Sequence, residues 1–205
     1  MLSNEKVMLL EVWRKNLFRE LSIAEIMKES GKKTKTWVFN ALKLLVSNNV
    51  LNSTRKANLD IYRFNLENPL SLQLLQYLEA QSNLSFSQLN IISEIIEKIP
   101  VKNCSIIVFG SYAENKQTKN SDLDLCILIE NKEVEKKIKP YINEIKLNHP
   151  IKIDEHYVTS EDFVKMLLHE EENLAKQIFI KHRLFYNSDT YYQLLKEAYK
   201  HGFRS

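Results

Sequence analysis

The sequence predicts an α+β protein built in two units. Three observations carry that prediction. Helical spacing followed by a hairpin pattern fills residues 1–66, short apolar strand patterns recur from residue 104 onward, and the charge changes sign between the two regions. Residues 1–66 hold twelve Lys and Arg against six acids, a balance of +6, whereas the remainder holds seventeen against twenty, a balance of −3. The first unit is therefore suited to an anionic partner. With 205 residues, 44% hydrophobic and 27% charged, the chain has a globular composition that excludes disorder, collagen and coiled coil.

No run approaches the 18 or so apolar residues of a membrane span, and Glu5 and Lys6 interrupt the apolar core that a signal peptide needs. The expectation is a cytoplasmic protein with no membrane partner. Cys104 and Cys126 lie inside apolar runs with no CxxC pair, so they read as buried thiols. Glycine is scarce: three residues stand where average usage of about 7% gives roughly 14.

The elements follow in order. From Asn4 to Arg19, Val7, Leu10, Trp13 and Leu17 recur at helical spacing. Ser22 and Glu25 form a capping-box signature for a second helix, SIAEIMKES, and Gly31 stands just past its end. A third helix runs from Thr34 or Thr36 to Ser47, with Trp37, Ala41, Leu44 and Leu45 as its buried stripe. VLNSTRKANLDIYRF then reads as two strands around the turn Ala57–Asn58.

This order resembles the winged helix-turn-helix domains of archaea and bacteria. The resemblance implies that the third helix enters a DNA major groove while the hairpin follows the backbone. Lys32, Lys33, Lys35 and Lys43 lie on or beside that helix, and Arg55 and Lys56 lie in the wing, at positions suited to phosphate contacts with DNA or RNA. Two other readings stay open. The lysines also fit the solvated face of a small Lys-rich domain, and winged helices also dock proteins or form homodimers.

Asn68 and Pro69 close the wing, and Leu72, Leu75 and Leu78 mark a connecting helix within residues 67–82. Residues 83–205 form the second unit. It opens with a helical pattern from Ser87 to Ile99 that Pro100 ends. There is no Gly/Ser linker, so helix joins the two units, which are expected to pack together.

CSIIVF, residues 104–109, has the pattern of a buried strand and ends in Gly110 and Ser111. Ten residues further on, Ser121-Asp122-Leu123-Asp124-Leu125 leads into the apolar run CILI. Alternation puts Leu123, Leu125 and Ile127 on one face and Asp122 and Asp124 on the other. Like charges held this close resist joint ionisation unless a cation lies between them. A third acid, Asp154, stands in the strand pattern IKIDEHYV, and these three are half of the chain's six aspartates. Three carboxylates from two strands suit Mg²⁺ or Mn²⁺ bound together with phosphate oxygens.

The run GSYAENKQTKNSDLDL resembles the Gly-Ser, ten-residue gap, Asp-x-Asp signature of the DNA polymerase beta nucleotidyltransferase superfamily, in particular its minimal nucleotidyltransferases. The resemblance covers about residues 86–190, including the tail HRLFYNSDTYYQLL. It implies a mixed β-sheet flanked by helices. It also implies attack by a hydroxyl on the α-phosphate of a nucleoside triphosphate, expected to be ATP, with loss of pyrophosphate. Asp122, Asp124 and Asp154 would hold the metal ions, with Asp154 completing the one that acidifies the attacking hydroxyl. Gly110 would let the backbone approach the phosphates, the Ser111 hydroxyl would donate to them, and the helix opening there would add its positive end.

Several alternatives accompany these roles. Ser111 and Glu114 also fit a capping box. Asp122 and Asp124 also fit a solvated strand entry. Asp154 competes with Glu155 on the opposite face, and Ile151 and Ile153 favour Asp154 by suiting the core side. His156 shares the face of Asp154 and reads as an exposed side chain. Many relatives carry Arg and Gly soon after Gly-Ser-x-Ala, where this chain has Glu114 and Asn115. Either Lys116 or Lys119 substitutes, or nucleotide binding is weak; Lys181 and Arg183 are further candidates.

HEEEN at residues 169–173 lacks the second histidine of a zinc-protease helix, and no Walker-type or GxGxxG loop is present. Some minimal nucleotidyltransferases partner an RNase toxin with an Arg and a His a few residues apart. No such pair occurs here, so a toxin partner would be a separate protein. Two functions are expected to compete: a Mg²⁺-dependent nucleotidyltransferase, and a DNA-binding regulator or antitoxin-like protein whose second unit binds a nucleotide or a partner.

Overall fold

The computed structural model describes residues 2–204, which divide between Leu78 and Glu79 into one unit of residues 2–78 with Arg204 and another of residues 79–203. In the first, the helical spacing from Asn4 forms α1 (Asn4–Val7), a 3₁₀ turn (Met8–Leu10) and α2 (Glu11–Arg14). The expected run to Arg19 stops early. Asn16 Oδ1 accepts the Phe18 N–H at 3.1 Å and the Trp13 indole N–H donates to the Arg19 carbonyl at 3.1 Å, and both bonds turn the chain back. It then forms a short strand that the sequence pattern did not announce, β1 (Glu20–Ser22).

Ser22 opens α3 (Ile23–Ser30) through the full reciprocal capping box with Glu25, and Gly31 closes it at φ +67. α4 (Lys35–Ser47) buries Val38, Ala41, Leu42 and Leu45. This stripe is rotated from the expected one, so Trp37 is only half-buried and lies under the Lys32 ammonium, 4.7 Å from its ring centroid. β2 (Leu51–Lys56) and β3 (Leu59–Phe64) meet around Ala57, which adopts φ 50. They form an antiparallel sheet in the order β1-β3-β2. α5 (Pro69–Asn83), opened by the Asn68 side chain accepting the Leu70 N–H at 3.1 Å, contains the division between the units.

The second unit continues with α6 (Leu89–Lys98), β4 (Cys104–Phe109), α7 (Gly110–Ala113), β5 (Leu123–Ile129) and α8 (Lys132–Asn148). It ends with β6 (Ile153–Thr159), α9 (Ser160–Leu168), α10 (Leu174–Ile180), β7 (His182–Tyr186) and α11 (Ser188–Lys200). The sheet order is β6-β5-β4-β7, with β5 and β6 parallel and β4 antiparallel to both of its neighbours. The sheet is therefore mixed, and α8 is the crossover that parallel pairing requires.

On one face Ile91, Ile92 and Ile95 of α6 and Ile138, Ile142 and Ile145 of α8 pack on Leu123, Leu125 and Ile127. Each fully buried side chain of this kind contributes about 1.5–3 kcal/mol. α9 and α11 pack on the other face, with Phe163, Tyr191 and Leu195 buried. Cys104 and Cys126 are buried free thiols, the first pushed by burial up to about 11 and the second also raised by burial. Among the described residues no helix is long and apolar enough to cross a membrane.

Candidate active site

Parallel pairing of β5 and β6 sets Asp124 directly beside Asp154. Partners in register point to the same face, so the two carboxylates stand together while Leu123, Leu125 and Ile153 enter the core between the sheet and α8. Glu155 faces the other way and ion-pairs with Lys146 of α8. Asp122 immediately precedes β5, and its carboxylate receives the Lys152 ammonium at 2.5 Å. His156 Nε2 lies 3.4 Å from Asp154 Oδ2 and its ring packs against Phe109, so this histidine is a neighbour of the acidic pair rather than an isolated surface group. Burial foremost, and then the charge of Asp154 with a smaller push from Asp122, hold the Asp124 carboxyl above its ordinary range, against an opposing effect of His156.

Gly110 ends β4 and begins α7 with φ +67. A Cβ there would lie 2.0 Å from Asp124 Oδ2, so any other residue would be strained in its backbone and would push the Asp124 carboxylate aside. Ser111 falls inside α7, whose N-cap is Phe109. The Ser111–Glu114 capping box does not form, because Glu114 closes the helix and its carboxylate binds Lys181 at 2.9 Å and Lys116 at 3.3 Å. Lys181 above all, against desolvation, keeps the Glu114 carboxyl below its ordinary range. α7 is a single turn, so the positive end expected of this helix is a minor effect.

Two clefts adjoin the aspartates. One, of about 420 Å³, is lined by Phe109, Gly110, Asp124, Gln177, Ile180 and Lys181. The other, of about 530 Å³, has Lys119, Ser121, Asp122 and Lys152 in its wall, with Tyr112 and Ile151. Gly110 and Asp124 are thus brought together, Lys119 shares a cleft with Asp122, and Lys116 is exposed and pairs with Glu114. Arg183 is buried in β7: its guanidinium donates to the Ala113 and Ser82 carbonyls at 3.1 and 2.8 Å and to Asn115 Oδ1 at 3.1 Å. It braces the turn after α7, where Asn115 adopts φ 57.

Lys152 and Gln177 were not visible as site residues in the sequence. The position of Lys152 opposite Asp122 depends on which strands pair, and that of Gln177 depends on where α10 lies.

As oxygen donors the three aspartates are the right kind for a hard divalent cation. The crowding of Asp124 by Asp154 and Asp122 is the electrostatic strain that such a cation relieves. Asp124 and Asp154 are register partners, and Asp122 is held by Lys152. No group of three His, Cys, Asp or Glu among the described residues forms a ready-made metal cluster.

In the first unit, Lys32 pairs with Glu5 at 2.7 Å, Arg55 with Asp60 at 3.0 Å, and Lys56 with Glu20. Lys33, Lys35 and Lys43 are exposed, and Lys43 lies on the face of α4 opposite its buried stripe.

The family model described as nucleotidyltransferase domain matches residues 89–186, so this segment is a nucleotidyltransferase domain. Among solved structures, the chain is similar to one described as a toxin-antitoxin with AMP-PNP, at 19% identity over 55% of this chain and 86% of that one, with a TM-score of 0.32. No curated protein matches the chain.

Proposed function

We propose that the second unit transfers a nucleoside monophosphate, from ATP in the first instance, to a hydroxyl acceptor. The single observation that carries this reading is the Asp124–Asp154 register pair set against Gly110. The acceptor oxygen forms a bond to the α-phosphorus, the bond to the β-phosphate oxygen breaks, and pyrophosphate leaves. The Gly110 turn admits the phosphates close to the backbone, and the Ser111 hydroxyl donates to them. Asp154, the more exposed carboxylate of the pair, receives the proton of the incoming hydroxyl. Asp122, Asp124 and Asp154 would hold Mg²⁺ or Mn²⁺, which supplies charge neutralisation for the phosphates and acidifies the hydroxyl. Lys119, in the cleft that Asp122 shares, and Lys116 are secondary phosphate contacts. The acceptor is a protein hydroxyl, such as one on a separately encoded toxin, an RNA end or a small molecule, and the reaction takes place in the cytoplasm.

Each α-labelled nucleoside triphosphate, incubated with Mg²⁺ and candidate acceptors, tests the reading. Wild type is expected to label an acceptor that Asp122→Ala/Asp124→Ala leaves unlabelled; equal labelling by both rejects it.

A second reading, a winged helix that binds DNA, is favoured by one feature of the first unit. Along α4, Lys35, Thr36, Phe39, Asn40 and Lys43 are exposed. That mixture of cations and polar side chains suits phosphates and base edges. It would make the protein a regulator or antitoxin-like, and it is compatible with catalysis in the second unit.

A further inference from the structure

A triphosphate that approaches Gly110 and Asp124 enters a region dominated by carboxylates, and its own charge is strongly negative. Besides any metal, it needs a fixed cation on the side away from the aspartates. Five basic residues compete for that place. Lys116 is 72% exposed and is not among the residues lining the Gly110 cleft, and Lys119 and Lys152 belong to the wall of the other cleft, Lys152 already held by Asp122. The Arg183 guanidinium is engaged by three acceptors around the turn after α7. Lys181 remains: it lines the cleft with Gly110 and Asp124, and its ammonium sits 2.9 Å from Glu114.

The anchoring of Lys181 is specific. It ends α10, where its N–H donates to the Gln177 carbonyl at 3.0 Å, so the stem of the side chain starts from a fixed helix end. Glu114 ends α7, the same turn of helix that begins with Gly110. An ion pair between two helix ends thus ties the cation to the turn that a triphosphate would touch. In this arrangement an acid at position 114 directs a lysine from a distant segment toward the phosphates.

We propose that Lys181 is the triphosphate-binding cation of this site and that Glu114 is the positioning residue that holds it beside Gly110. The proposal rests on the nucleotidyl-transfer reading of the same site. It adds a ligand preference, because a cation on the β- and γ-phosphates distinguishes a triphosphate from a monophosphate.

The test titrates ATP and AMP, each with Mg²⁺, against wild type and the variants Lys181→Met, Lys181→Arg, Glu114→Gln and Asp124→Asn by calorimetry, and measures KM and kcat for ATP. Lys181→Met is expected to weaken ATP binding about tenfold or more while leaving AMP within about twofold. Lys181→Arg restores most of the affinity. Glu114→Gln raises KM for ATP by about threefold to tenfold with kcat little changed, a split that a merely structural ion pair would not produce. Lys181 is 50% exposed, and a urea midpoint for each variant separates a folding defect from a binding one. If Lys181→Met binds ATP as wild type does while Asp124→Asn alters Mg²⁺-dependent binding, the assignment of Lys181 falls and the functional reading stands. If wild type binds no nucleoside triphosphate, both fall.

Discussion

Gly110 and Asp124 are fitted to each other: a methyl group on the first would lie 2.0 Å from a carboxylate oxygen of the second. The glycine permits the φ of +67 at the end of β4, and the space left by its missing side chain is filled by the acid of β5. Parallel pairing then sets Asp154 beside Asp124. The arrangement of the whole site follows from these two contacts.

Gly110→Ala should therefore lose both stability and activity. Left-handed strain alone costs about 1–3 kcal/mol, and the clash displaces the Asp124 carboxylate as well. Gly31→Ala is the control, because Gly31 has the same φ of +67 with nothing within 4 Å of an added Cβ. It is expected to lose stability by strain alone and to keep nucleotidyl transfer unchanged, as urea unfolding and initial rates would report.

Asp124 should oppose folding at neutral pH. Its folded carboxyl lies above the ordinary value of 3.8, so the folded chain binds this proton more readily than the unfolded chain does. Stability then falls as pH rises from the ordinary value through the raised one, and stays reduced above it. Asp124→Asn is expected to melt higher than wild type at neutral pH, each 1 kcal/mol relieved reading as roughly 2–4 °C in a chain of this size. The gap should close as pH falls below the ordinary Asp range. Added Mg²⁺ should stabilise wild type more than the variant.

Arg183 should matter for folding rather than for phosphate. Arg183→Met leaves the Ala113 and Ser82 carbonyls and Asn115 Oδ1 without this donor and is expected to cost about 1.5–3 kcal/mol in urea unfolding. Arg183→Lys reaches fewer of the three acceptors and should recover less than half. Lys181→Met, at a half-exposed position, should stay within about 0.5 kcal/mol of wild type.

If the first unit binds DNA, its contacts should divide by ion pairing. Lys35→Glu/Lys43→Glu is expected to abolish a gel shift at low salt and to flatten the salt dependence by roughly one unit per lost phosphate contact. Arg55→Ala/Lys56→Ala should act more weakly, since both cations already face acids, Asp60 and Glu20. Equal binding by wild type and Lys35→Glu/Lys43→Glu would count against this surface.

Local signals were legible in the sequence because their causes are local. The Ser22–Glu25 box and Gly31 frame α3, the Ala57–Asn58 turn divides β2 from β3, and the alternation around Asp122 and Asp124 was read from spacing alone. What escaped depends on contacts between distant segments. The packing of α4 against α3 and β2 turned its stripe onto Val38 and Leu42 in place of Trp37 and Leu44. The Ser111–Glu114 box failed because α7 starts at Gly110 and stops at Ala113, and the Glu114 carboxylate pairs instead with Lys181, 67 positions later in the chain. The place of Lys152 opposite Asp122 and the bracing role of Arg183 both required the pairing order β6-β5-β4-β7. No spacing rule supplies that order.

The most direct test of the account compares ATP labelled at the α-phosphate with ATP labelled at the γ-phosphate, each incubated with wild type, Mg²⁺ and the acceptor. Nucleotidyl transfer predicts that the α-label enters the acceptor while the γ-label leaves in pyrophosphate, and that Asp124→Asn abolishes both events. Appearance of the γ-label in the acceptor, or transfer of the α-label by Asp124→Asn at the wild-type rate, would contradict it.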